Sequence, residues 1–145
     1  MNITDILSEW KKDTVIDDLN LDRESNKIPS LHSKYLGYLS DVRMKMRQFR
    51  LERRILVKTL HEYYHGDLNN PDDLKRIGRE PFAKRILKNE VMSYVEADSE
   101  VVTLDAKIEG QQELLETIME ILKSVNSRQW TIKNAVEWRT LQLGN

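Results

Sequence analysis

The chain contains no cysteine in 145 residues. Disulfides and thiolate metal sites are therefore excluded, and a reducing compartment suits the composition. Nor is there an apolar run near the roughly 18 residues that cross a bilayer. The opening MNITDILSEWKKD lacks the apolar core of a signal peptide. These absences set the expectation of a soluble cytoplasmic protein with no membrane contact. Strand-like alternation, internal repeats and low-complexity tracts are missing too, which leaves an all-α fold. So are a phosphate-cradling glycine loop, a serine-nucleophile context and a carboxylate pair in a catalytic arrangement. The reading is a protein with no catalytic residue, no metal and no cofactor.

Charge is what the chain has in excess. Charged residues make up 32% of it and hydrophobic residues 39%. That balance favours long exposed helices or an assembly over a compact enzyme. The length gives one helical domain, residues 1–145. Net charge is only -1, but the signs are segregated. Residues 1–42 carry a net -3, residues 43–88 a net +7 and residues 89–145 a net -5. The pattern divides the domain into N-terminal helices with a basic helix (1–66), a basic loop with short helices (67–97) and C-terminal helices (98–145). A local polyanion site beside acidic surfaces that meet a protein partner follows from it.

The organising stretch is 40–66, SDVRMKMRQFRLERRILVKTLHEYYHG. It reads as one helix with no Gly or Pro until Gly66, the expected C-cap. Arg43, Arg47, Arg50, Arg54 and Lys58 recur at steps of three or four and fall within roughly 80° of arc. The ridge they form is about 22 Å long, with His61 and His65 extending it. Val42, Met46, Phe49, Leu56, Leu60 and Tyr63 lie on another face, expected to be core. A cationic ridge ending in a tyrosine pair suits a single strand, with phosphates on Lys and Arg and a base on Tyr64. A solvated face of a bundle helix is the plainer alternative.

Elsewhere, residues 3–12 read as a short helix with Ile3, Ile6, Leu7 and Trp10 on one side. A break at 13–18 and a second short helix over 19–27 follow. Pro29 suits the first turn of the long helix. Asn70, Pro71, Asp72 and Asp73 spell a helix start: cap, N1 proline, then acids at the positive end. Lys75, Arg76, Arg79, Lys84, Arg85 and Lys88 form a second basic cluster near a turn. Residues 88–97 read as helix, and Asp98 or Ser99 as the cap of the next. From Val101 the apolar positions Leu104, Ile108, Leu115, Ile118, Leu122 and Val125 keep a 3-4 spacing, with Gln111 in the one gap. Asn126 and Ser127 are expected to end that helix. A last one over 131–143, with Trp130, Ile132, Val136 and Trp138 around its girth, needs two surfaces to bury into and so suggests a subunit interface.

Residues 61–65, HEYYH, fit the H-E-x-x-H pattern of zinc hydrolases. No third histidine follows, and the adjoining cations repel a dication. A zinc hydrolase and a helical scaffold without a DNA role are the rival classes.

Five segments, LSEWKKDTVIDDLNL (7–21), LHSKYL (31–36), VKTLHEYYHG (57–66), EADSEVVTLDAKI (96–108) and SRQWTIKNAVEWRTLQLG (127–144), together resemble the UvsY family of bacteriophage recombination mediators. The resemblance runs over nearly the full length. It implies a non-enzymatic protein of the infected host's cytoplasm that loads a RecA-like recombinase onto single-stranded DNA covered by single-strand binding protein. It also implies a ring-like homo-oligomer, hexameric or heptameric, assembled through the C-terminal region. The family's basic motif places its lysine at Lys58. Its second basic position falls on Leu60, and Arg54, one turn before Lys58, is the candidate to compensate.

Overall fold

A computed structural model describes residues 1–144. The fold is all-α, as expected, with no strand among the described residues. Among the described residues six α-helices follow in order: α1 (Ile3–Asp13), α2 (Leu21–Asn26), α3 (Ile28–His65), α4 (Pro71–Ile77), α5 (Val91–Glu96) and α6 (Ser99–Leu143). A 3-10 turn, Lys88–Glu90, leads into α5.

Local chemistry sets most of the boundaries. Asn2 and Asp5 form a reciprocal capping box at the start of α1, with bonds of 2.9 and 3.2 Å. Asp17 accepts from the Leu19 amide and the Asn20 side chain (3.0 and 2.7 Å). That turn holds Leu19 and Asn20 out of α2, which starts two residues later than its sequence suggests. Pro29 sits in the first turn of α3, where a missing N–H costs nothing. Gly66 ends α3 with φ +93°. The Asp67 amide bonds back to the Glu62 carbonyl and the Gly66 amide to that of Tyr63, the six-to-one and five-to-two bonds of a glycine cap. Gly78, with φ +69°, ends α4 through the same pair of bonds, Arg79 to Leu74 and Gly78 to Lys75. Asn70 caps α4 at the Asp72 amide (2.9 Å). Asp98, not Ser99, caps α6, accepting from the Glu100 amide (2.9 Å).

One boundary expectation is overturned. Asn126 and Ser127 do not end a helix, and no separate helix starts at 131. α6 runs unbroken for 45 residues. Asn and Ser cost only about 0.5 kcal/mol each in a helix interior. Val125, Arg128 and Ile132, one turn apart, are all buried. Burial continues through the supposed break and outweighs two weak formers.

The chain divides into two compact units. The first comprises Met1–Lys45 and Gln111–Asn145. Its buried apolar side chains are Ile6, Leu21, Tyr35, Leu39 and Val42 from the early helices, with Leu114, Ile118, Ile121, Val125 and Ile132 from α6. On α1, Ile3 and Leu7 stay exposed; Ile6 is fully buried and Trp10 meets Tyr35 edge-on at 5.5 Å. The Tyr35 and Tyr38 hydroxyls donate to Asp13 and Glu9 (2.8 Å each) and Lys34 bridges both acids, which docks α1 on α3. Arg128 of α6 donates to the carbonyls of Thr14 and Val15 (3.0 Å each) and to the Glu24 carboxylate (2.8 Å). One buried guanidinium thus ties together α6, α2 and the loop after α1.

The second unit is Met46–Gly110. Its core is Leu60, Val91, Val95 and Val101, flanked by Leu56, Val57, Tyr64 and Ile86. The apolar face of α3 read from the sequence is largely right: Met46, Leu60 and Tyr63 are buried, Phe49 and Leu56 half-buried.

Candidate nucleic-acid interface

Within the second unit, α3 buries one side and turns another to solvent. At about 100° per residue, Arg47, Arg50, Arg54 and Lys58 centre roughly 130° from the Met46–Leu60 face. All four side chains are exposed. None has a carboxylate within 4 Å among the described residues. Arg43 is exposed on the same helix, in the first unit. Arg53 differs, because it points toward α6 and donates to Asp105 (2.6 Å) and Glu96 (2.8 Å). Side by side in sequence, Arg53 is a structural cation and Arg54 a free one. Free cations on a rigid helix are what phosphates require, since no internal ion pair must break first.

The ridge ends at the aromatic pair. Tyr63 is buried and its hydroxyl donates to the Glu80 carbonyl (2.6 Å). Tyr64 is half-buried, its ring edge-on to Phe82 at 4.9 Å and 5.7 Å from Tyr94. Its hydroxyl donates to Asp98 (2.6 Å). Tyr64 is thus held in an aromatic cluster. His61 is half-buried on the ridge side, its ring stacked on that of His65 at 6.2 Å. The His65 Nδ1 lies 3.1 Å from Asp67. Among the described residues no three His, Asp or Glu converge in a way that holds a metal ion.

Leu60 is 1% exposed and belongs to the core. It faces away from the ridge by about 130°.

Asp98 fixes the end of the site. It caps α6, receives the Tyr64 hydroxyl and forms a two-pronged pair with Arg79 (2.6 and 2.9 Å). Arg79 also reaches Glu100 (2.9 Å) and lies over the Tyr63 ring at 5.2 Å. The Arg79 pair, against the opposing effect of burial, holds the Asp98 carboxyl down to about 2. An acid depressed in the folded state stabilises it above its unfolded value, near 4, and that stability drains away as pH falls toward 2. We expect the second unit to lose about 2 kcal/mol between pH 4 and pH 2 on this account. Urea unfolding followed by tyrosine fluorescence at the two pH values checks it; Asp98→Asn should remove this part of the pH dependence. Nothing in the sequence links Arg79 to Asp98, nineteen residues apart, so this pair is a discovery of the structure.

The apolar residues of α6 read from the sequence separate into two groups. Leu104, Ile118, Val125 and Ile132 are buried within this chain, and Ile108, Leu115 and Leu122 are half-buried. The surface of the four buried ones is covered within the chain. Trp130, Val136 and Trp138 are exposed, as are Leu141 and Leu143. Trp130, Trp138 and Leu141 fall within roughly 80° of arc, on the side of α6 opposite Val125 and Ile132.

An all-helical chain that presents unpaired cations along one helix among its described residues offers a surface suited to phosphates. The family model described as "Recombination, repair and ssDNA binding protein UvsY" matches residues 9–145. The chain belongs to the UvsY family. It is 26% identical over 144 residues, covering 99% of each chain, to the Recombination protein uvsY of Enterobacteria phage T4. Two crystal forms of the bacteriophage T4 recombination mediator protein UvsY share its fold. Lattice type II gives a TM-score of 0.83 at 26% identity, covering 99% of this chain and 98% of that one. Lattice type IV gives 0.84 at 25%, covering 97% and 99%.

Proposed function

We propose that this chain is a recombination mediator of an infecting bacteriophage. It binds single-stranded DNA and helps a RecA-like recombinase load onto strands covered by single-strand binding protein. The observation that carries the reading is the row Arg47, Arg50, Arg54 and Lys58, exposed and free of ion pairs among the described residues. Membership of a family described by recombination, repair and single-stranded DNA binding supports it. The protein acts by binding, without catalysis, in the cytoplasm of the infected bacterium.

One ridge holds a strand weakly, and loses hold as salt rises. Copies of the chain, joined in a ring through the exposed Trp130, Trp138 and Leu141 row, repeat it. A strand that meets several ridges at high effective concentration is gripped in a shape that disfavours single-strand binding protein and favours the recombinase.

The test is the strand-dependent ATPase of a RecA-like recombinase on DNA already coated with single-strand binding protein. Adding this chain should shorten the lag before ATPase onset. An unchanged lag, with strand binding intact, refutes the mediator reading. Self-assembly has its own check by light scattering after size exclusion. Trp130→Ser with Trp138→Ser should shrink the particle and cut strand affinity about 100-fold through lost avidity. An undiminished particle places assembly on another surface.

A further inference from the structure

Residues 79–87 have no regular secondary structure, yet they are fixed along their length. Arg79 is pinned by Asp98, and the Glu80 carbonyl accepts the Tyr63 hydroxyl. Phe82 packs against Tyr64, and Ile86 against the Leu60–Val91–Val95–Val101 core. Between these anchors Ala83, Lys84 and Arg85 are exposed, and Leu87 and Lys88 follow, also exposed. Among the described residues, the backbone N–H groups of 82–86 have no partner within the chain.

Three features meet at this tip. Lys84, Arg85 and Lys88 have no carboxylate within 4 Å among the described residues. The Glu90 carboxylate is held on the Leu87 amide (3.2 Å). Lys84 Nζ donates to the Tyr94 hydroxyl (2.8 Å) and sits 5.4 Å from its ring centre. Tyr94 packs on Phe82 at 5.8 Å and on Tyr64 at 5.7 Å and is half-buried, as Tyr64 is. Cations, free amide donors and an aromatic face on an ordered segment suit a ligand that is both anionic and aromatic. An acidic peptide would use the cations but leave the ring idle.

We propose that this tip is a second contact for the same single strand, taking backbone phosphates on Lys84, Arg85 and Lys88 and stacking a base on Tyr94. This rests on the reading of the α3 ridge as the strand interface and extends it. Tyr64, which anchors the tip, lies about 9 Å along the helix axis past Lys58. The tip sets three further exposed cations beside the partly exposed ring of Tyr94.

The experiment uses the full-length chain and labelled oligo-dT in an anisotropy titration across salt concentrations. Lys84→Ala, Arg85→Ala and Lys88→Ala together should flatten the plot of log affinity against log salt by about 2 for each subunit that touches the strand. The three side chains are exposed, so thermal unfolding should not shift. Tyr94→Leu should lower affinity about tenfold at unchanged slope, while Tyr94→Phe, which keeps the ring, should bind as the parent does. If the parent binds with a steep salt slope and the triple variant keeps that slope, or if Tyr94→Leu binds like the parent, the tip is not a strand contact and the ridge reading stands. If the parent shows no salt-dependent binding, both fall.

Discussion

Replacing Arg47, Arg50, Arg54 and Lys58 together by Ala should lower the affinity for a single strand about a thousandfold at roughly 50 mM salt. Each phosphate contact on a single strand contributes about 0.7 to the salt slope. Four contacts give a slope near 3 for each subunit engaged, and about 50 mM lies a little over one decade below 1 M. The contacts are free to act because no carboxylate sits within 4 Å of them among the described residues. Arg53→Ala is the matched control. That side chain is tied to Asp105 and Glu96, so its loss should weaken folding and leave the slope alone. Anisotropy over a salt series, with urea unfolding alongside, reads both effects. A quadruple variant with the parent slope would remove the ridge from the binding surface, and a flattened slope in Arg53→Ala would show that free and paired cations are not distinguished.

Removing Glu24 should be among the most damaging single changes to stability. Glu24 and Arg128 face each other at 2.8 Å, their side chains 5% and 4% exposed. Deleting one partner leaves a buried charge uncompensated, which costs about 3 to 5 kcal/mol. Against a typical domain stability of about 5 to 15 kcal/mol that is a large fraction. Glu24→Ala should therefore shift the urea midpoint of the first unit sharply. Replacing both, Glu24→Met with Arg128→Met, should recover much of the loss, because a buried pair and an apolar pair of similar size are often nearly equal in stability. The carbonyls of Thr14 and Val15 would then lose their donors and limit the recovery. The Lys27 hydrogen bond, with Arg128 against the effect of burial, also holds the Glu24 carboxyl below its usual range. Its contribution is complete above the unfolded value, near 4.3, and is lost as pH falls through the folded one. A Glu24→Ala protein as stable as the parent would mean that the clamp is ornamental.

Much of this molecule is legible in its residues because helices are local. Period, caps and breakers act over one turn, so α1, α4 and the extent of α3 follow from Asn70, Pro71, Gly66 and the spacing of apolar side chains. The cationic ridge is legible for the same reason: residues three or four apart share a face of any helix. The family is legible because its segments recur in order along nearly the whole chain, and the comparison of full-length relatives bears that out.

What the chain could not disclose by itself is where each face ends up. Helical phase tells Arg53 from Arg54 only by angle; the acids on α5's end and α6 decide which is bound and which is free. Asn126 and Ser127 look like a stop until Arg128 is seen buried against Glu24, four helices and a hundred residues away. Leu104, Ile118 and Val125 have the spacing of a seam, and that spacing is the same whether the facing helix belongs to this chain or to another. The amino acids fix which residues share a side, since that depends on bond geometry within a turn. Which side meets a neighbour is set by long-range packing, and only the folded chain contains it.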